Sequence, residues 1–138
     1  MYFNRGKIKE KIIGKSLKEL LKRNRQSGAV TTFLGVVRPD VHRGKKVSKI
    51  EYTTYSPMAI ITLKNLINEI KKKYGIECVF FRHSLGMVHS GEISLLVHLS
   101  SPHREMGIEA VKTLINRMKK EVPIFKKEFF KDGSHFWI

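Results

Sequence analysis

Apolar residues along this chain recur with two periods, and the change from one to the other marks its elements. Leu17, Leu20 and Leu21 lie on one side of a short helix, with Ser16 as its N-cap and Gln26-Ser27-Gly28 as its end. The run from Ala29 to Val37 is apolar and β-branched and reads as a buried strand. Gly35 inside it marks a bulge or a close approach to the backbone. Arg38 to Gly44 carries Pro and Gly among polar residues and reads as a loop, and Lys46 to Tyr55 alternates as a half-buried strand.

Ser56-Pro57 then supplies an N-cap and a proline at the first helical position. Ile60, Leu63, Leu66, Ile67 and Ile70 follow at helical spacing, and Gly75 stops the helix. Two further strands are predicted over Ile76 to His83 and Glu92 to Ser100, with a turn-rich connection bracketed by Gly86 and Gly91. The longest helix is predicted from Pro102 to about Val122, with Ile108, Val111, Leu114, Ile115, Met118 and Val122 as its apolar stripe. A hairpin closes the chain, Phe125 to Phe130 and His135 to Ile138 joined across Asp132-Gly133. Strands and helices interleave irregularly and nothing repeats. The reading is one compact α+β domain, a mixed or antiparallel sheet packed with helices, whose first 26 residues are a basic arm and short helix.

Composition narrows what such a domain does. With 138 residues, 41% of them hydrophobic, the chain is long enough for one substantial core. Lysine and arginine total 27 against 12 acidic residues, a formal charge of +15. That field attracts anions of any kind, and a lysine-rich surface also serves stability at high temperature. Cys78 is the single cysteine and sits in an apolar run, so no internal disulfide or cysteine-rich zinc site is available. A reducing, cytoplasmic setting is expected. Charges at Arg5, Lys7, Lys9, Glu10, Lys11 and Lys15 interrupt the N-terminal region, leaving no apolar stretch for a signal peptide or membrane span.

Candidate chemistry gathers in the last third. His103 and Arg104 begin the long helix, where free N–H groups favour an anion although the dipole disfavours cations. Lys119 lies at the border of the apolar stripe, a place where lysine usually extends its amine to water. Lys126, beyond the Pro123 turn, can fold back towards it, and two neighbouring amines each favour loss of a proton. Strand alternation does not separate Lys126 from Lys127. Arg104 and Lys119 are fifteen residues apart, roughly 22 Å along a helix. They therefore serve different sites, or one site shared by two copies of the chain. Arg38, just after a buried strand, is a loop cation able to orient a phosphate. The histidines His42, His83, His89, His98, His103 and His135 are scattered with no metal-ligand spacing, and His98 in a strand reads as a satisfied core histidine. No phosphate-binding Gly-rich loop and no nucleophile elbow is present.

Four segments together resemble the large, catalytic subunit of molybdopterin synthase: Gly28 to Arg38, Leu85-Gly86, Ser101-Pro102-His103-Arg104, and Lys119 with Val122 to Glu128. The likeness runs from about Ser27 to Trp137, so residues 27–138 correspond to that family's domain. The resemblance implies an α/β-hammerhead-like fold and a sulfur transferase of molybdenum cofactor synthesis. Such an enzyme converts cyclic pyranopterin monophosphate to molybdopterin with sulfur from the C-terminal thiocarboxylate of a small ubiquitin-like subunit. It also implies a central homodimer within a heterotetramer, with each pocket completed across the dimer. By position, Lys119 and Lys126 match the family's catalytic lysines and Arg38, His103 and Arg104 its substrate-binding cations, and Lys127 and Glu128, which complete the motif, are counted with the substrate-binding residues. Sulfur arrives on a partner protein, so no cofactor and no resident metal are expected.

Two other functions compete. The +15 charge and basic arm suit a nucleic-acid-binding module, but the aromatic residues do not interleave with the basic ones as a base-stacking platform requires. A noncatalytic scaffold for the carrier would bind it without using Lys119 or Lys126.

Overall fold

The computed structural model describes residues 1–138. Its elements in chain order are β1 (Phe3–Arg5), α1 (Glu10–Arg23), β2 (Ala29–Val36), β3 (Val41–His42), β4 (Lys45–Thr54), α2 (Met58–Tyr74), β5 (Cys78–His89), β6 (Ile93–Ser101), α3 (Arg104–Glu121), β7 (Ile124–Phe130) and β8 (His135–Trp137). The strands form one mixed sheet in the order β2-β6-β5-β4-β7-β8, with β1 parallel to β5 and β3 antiparallel to β4. The α+β reading is what is observed.

One strand joins the two halves of the sheet. Residues Cys78 to His83 of β5 pair with β6, whereas Gly86 to His89 pair with β4. Gly86, at φ +86°, stands at this hand-over. It therefore lies inside a twelve-residue strand, not at the edge of the expected turn, and the turn is confined to Ser90–Glu92. A glycine that reads as punctuation works here as a change of direction within a continuous strand.

Two apolar clusters follow from this division. The larger packs α2 and α3 on the sheet through Leu63, Leu66, Ile70, Phe81, Val97, Leu99, Leu114 and Met118, among others. The smaller holds Val37, Val47, Ile50, Tyr52, Val88 and Phe130. Val47 joins Ile50 and Tyr52 although strict alternation puts it on the opposite face, because the β4–β7 register shifts between Val47 and Lys49. The extra residue rotates the strand by one position. Ile124, at the start of β7, packs against both clusters.

Several predicted details change. The basic arm contributes the short strand β1 to the sheet, and α1 begins at Glu10, earlier than the expected cap. Ser16 is consequently in mid-helix, not at its cap. Its hydroxyl donates to the Ile12 carbonyl (2.6 Å) and accepts from His98 Nε2 (3.0 Å), while Thr32 Oγ1 donates to His98 Nδ1 (2.8 Å). One neutral tautomer thus satisfies this fully buried imidazole, the role read for it from sequence. Pro57 occupies the N-cap of α2 and no side chain caps that helix. Ile60 and Ile108 are exposed. The buried face of α3 keeps Val111, Leu114, Ile115 and Met118 of the expected stripe and adds Gly107 and Ala110. Gly107 starts that face because a Cβ there would stand 2.8 Å from both Ser101 Oγ and Thr31 Oγ1. The Gly35 bulge is present, as a register shift between Gly35 and Val36. No helix is long and apolar enough to cross a membrane.

Candidate active site

Where the two halves of the sheet meet the C-terminal end of α3, a cleft of about 320 Å³ opens. Its walls combine Phe33, Gly35 and Val36 of β2, Tyr52 of β4, His83 of β5, Ser94 and Leu95 of β6, and Met118 and Lys119 of α3. Val122, Ile124, Lys126 and Ile138 complete it. The volume lies in the range of small-ligand sites, and the lining is the usual apolar surface with a few polar groups.

The two lysines reach this cleft by a short, well-fixed turn. Met118 anchors the last turn of α3 in the core, which leaves the adjacent Lys119 on the rim. Val122 N–H closes on the Met118 carbonyl (3.0 Å) and Pro123 breaks the helix. The Pro123 carbonyl accepts from Thr54 Oγ1 (2.9 Å) and from Tyr55 N–H (3.3 Å), fixing the turn against β4. Strand β7 then returns past the helix end, and Lys126 comes beside Lys119. Burial is the first cause holding the Lys126 amine below its ordinary pKa, and the Lys119 charge adds to it; Glu128 opposes both. Strand alternation leaves Lys126 and Lys127 equivalent. The fold separates them: Lys126 lines the cleft, while Lys127 lies over the rings of Phe129 (5.4 Å) and Trp137 (5.3 Å).

Three residues escape a reading of the sequence. Tyr52, His83 and Ser94 face the cleft as neutral polar groups. Burial raises the Tyr52 pKa, with the Ser94 hydrogen bond opposing and the Glu128 charge adding. Burial lowers that of His83 to about 4, with the Ser84 carbonyl opposing and Lys126 adding to the fall. The neutral ring donates from Nδ1 to that carbonyl (2.8 Å), which leaves Nε2 as an acceptor. Their signal is weak: Tyr52 lies in the inward set of an alternating strand and His83 ends an apolar run, positions that both read as core.

A consequence for stability follows with a definite sign. The folded-state pKa of His83 lies below the ordinary 6.5, so the unfolded chain takes up this proton first as pH falls. The contribution is complete above pH 6.5 and is lost progressively down to about pH 4. Its size is about 3 kcal/mol. Denaturant unfolding at stepped pH is expected to show this loss, and His83→Gln to flatten the profile in that window; an unchanged profile would remove the assignment.

The other predicted site residues are not in the cleft. Arg38 is 82% exposed and forks onto Asp40, Nε to Oδ1 at 2.5 Å and Nη2 to Oδ2 at 3.4 Å. His103 caps α3 through its backbone and Arg104 is the first helical residue, both exposed. They stand at the far end of the helix from Lys119, so the separation argued from sequence holds within one chain. Glu128 is buried on β7, with Oε1 3.1 Å from His42 Nε2, outside the cleft lining.

Residues 8–121, most of the chain, match the family model described as MoaE protein. The chain belongs to the MoaE family. Among relatives, the molybdopterin synthase catalytic subunit of Bacillus subtilis is 40% identical over 114 residues, 83% of this chain and 71% of that protein. The catalytic subunit from Thermoplasma volcanium is 36% identical over 115 residues, 83% of each chain. Molybdopterin synthase from Staphylococcus aureus has the same fold at a TM-score of 0.86 and 31% identity, covering 99% of this chain and 95% of that one. A Helicobacter pylori chain, in a protein-protein complex of subunits 1 and 2 of molybdopterin-converting factor, shares the fold at a TM-score of 0.81 and 20% identity, with 99% and 88% covered. The MoaE family match begins at Ile8, inside the segment read from sequence as a basic arm.

Proposed function

We propose that this MoaE-family chain is the sulfur-transferring subunit of a molybdopterin synthase, converting cyclic pyranopterin monophosphate to molybdopterin. The observation that carries the reading is the meeting of Lys119 and Lys126 at one cleft whose other polar side chains, Tyr52, His83 and Ser94, are uncharged at neutral pH. Such a site favours an anionic group and stabilises negative charge as it develops. The donor is the C-terminal thiocarboxylate of a small ubiquitin-like carrier subunit, whose tail enters the cleft. Lys119 contacts the thiocarboxylate; Lys126 holds the substrate and stabilises developing charge. In each transfer a C–S bond to the pterin side chain replaces a C–O bond, and water hydrolyses the acyl–sulfur bond so that the carrier departs as an ordinary carboxylate. The first displaced oxygen stays on the opened phosphate and the second leaves as water, so two charged carriers are consumed per product. No cofactor is required, and the lone thiol of Cys78 is not a reactant.

The substrate phosphate is assigned to Arg38 with His103 and Arg104 of a second copy. Within one chain the Arg104 end of α3 is roughly 22 Å from Lys119, too far for one small ligand. A homodimer brings opposite ends of two such helices to one site, and a carrier subunit on each side makes a heterotetramer. Lys127 and Glu128 support the motif without touching substrate: Glu128 opposes the loss of the Lys126 proton, and Lys127 packs on aromatic rings. The net charge of +15 draws the acidic reactants towards the cleft.

The test is a product assay with purified chain, thiocarboxylated carrier and cyclic pyranopterin monophosphate. A dithiolene product is expected. Carrier binding without product would leave only a scaffold, and tight RNA or DNA binding that falls steeply with salt would favour the nucleic-acid reading.

A further inference from the structure

One buried carboxylate lies outside the cleft lining. The Glu128 side chain is 4% exposed, and its Oε1 is fully buried with no hydrogen-bond partner. His42 Nε2 is 3.1 Å away but forms no hydrogen bond to it. An ionised carboxylate left this way is costly, so the surroundings must provide a compensating charge. Asp40 completes the surroundings. One ligand atom from each of Asp40, His42 and Glu128 can be chosen so that all three lie within 4.8 Å of one another.

Sequence spacing conceals this group, because its members are separated by most of the chain. The antiparallel pairing of β3 with β4 and of β4 with β7 brings them together. Asp40 and His42 stand on the loop and two-residue strand leading into β4; Glu128 stands opposite Ile50 on β7. Bonds of about 2.0–2.2 Å from imidazole and carboxylate to one ion place neighbouring ligand atoms some 3 to 4 Å apart. The His42–Glu128 spacing already fits, and Asp40, on the loop, needs only a small approach.

We propose that Asp40, His42 and Glu128 form a binding site for one divalent transition-metal cation of the zinc class. One imidazole and two carboxylates are the donors such ions take, and two carboxylates offset the double charge. Arg38 holds Asp40 through Oδ1 and leaves Oδ2 more weakly engaged, so it orients this ligand from behind. Its guanidinium, and the Lys126 amine that feels the Glu128 charge, moderate the affinity. The ion would tie the 38–44 loop to β7, the strand that carries Lys126. The placement of Arg38 and of the cleft lysine would then be linked through one bound ion. This inference does not depend on the sulfur-transfer reading, because metal binding is measured without substrate.

The full chain, stripped with chelator, is titrated with Zn²⁺ by calorimetry and with Co²⁺ by its visible absorption. One equivalent per chain is expected. His42→Ala, at an exposed position, and Asp40→Asn should each weaken binding by at least about tenfold and diminish the Co²⁺ bands, with circular dichroism unchanged. Unaltered affinity in both variants, or no saturable equivalent in the parent chain, would overturn the site. So would a third result, in which His42→Ala changes only the acid stability of the chain and no metal response exists. That outcome would show His42 alone serving as the partner of Glu128.

Discussion

Lys119→Ala is expected to lower turnover about a hundred- to a thousandfold, the loss seen when one charge-stabilising donor is removed from a preorganised site. Lys119 stands on the cleft rim, next to the core residue Met118, and none of the fold's buried contacts depends on its amine. Its loss should therefore leave thermal stability nearly unchanged. The same substitution removes a like charge beside Lys126, so the depressed Lys126 pKa should rise when followed by NMR titration. A sharper experiment mixes subunits. Homodimers of Lys119→Ala and of Arg104→Ala should each be poor catalysts. If the proposed dimer shares its sites, co-refolding gives mixed dimers in which one of the two sites has both residues intact. Recovery of a substantial part of the activity is expected. If the mixture stays as inactive as its components, the site is not shared between chains.

The second large effect concerns Gly28, which no catalytic argument touches. An alanine Cβ there would lie 2.2 Å from the Pro102 carbonyl oxygen and 3.3 Å from its carbon. Both are backbone atoms, so no side chain can turn aside to make room. The Gly28 N–H also donates to the Ser101 carbonyl at 3.1 Å, and Ala29 pairs with Ser101 in the sheet. The start of β2 is thus clamped on the corner from which His103 and Arg104 emerge. Gly28→Ala should destabilise the fold by about 1–3 kcal/mol or more through forced displacement. It should also move the corner and weaken substrate binding, seen as a rise in KM. Gly14→Ala is the control of opposite sign. It lies in α1 with open space around its Cβ position and should stabilise by about 0.5–1 kcal/mol. Equal melting temperatures for Gly28→Ala and the parent chain would refute the clamp.

These two predictions draw on different kinds of information. The separation of Arg104 from Lys119 is legible from the chain because a helix has a fixed rise and a fixed periodicity, whereas the choice of His103, Arg104, Lys119 and Lys126 as site candidates rests on the family resemblance. Fifteen residues on one rod set the separation of its two ends, whatever the rod packs against. The same local regularity reveals the β2 strand, the Gly35 bulge, the Gly75 stop and the Asp132-Gly133 hairpin. It is less reliable where one residue type serves two purposes. Ser16 reads as a cap yet bonds to His98 in mid-helix, and Gly86 reads as a turn yet redirects a continuous strand.

Local pattern cannot decide which face of an element meets which neighbour. Tyr52 and His83 become cleft residues, Lys127 moves onto aromatic rings, and Ile108 is left exposed, all through the packing of distant segments. The bulge between Val47 and Lys49 rotates a strand that strict alternation would have oriented otherwise. Asp40, His42 and Glu128 are joined only by strand pairing. Covalent spacing and backbone geometry determine the elements of this protein and the reach of its longest helix. Its cleft, the separation of its lysines and the grouping of its buried charges arise where long-range pairing brings side chains of the same periodic pattern into different surroundings.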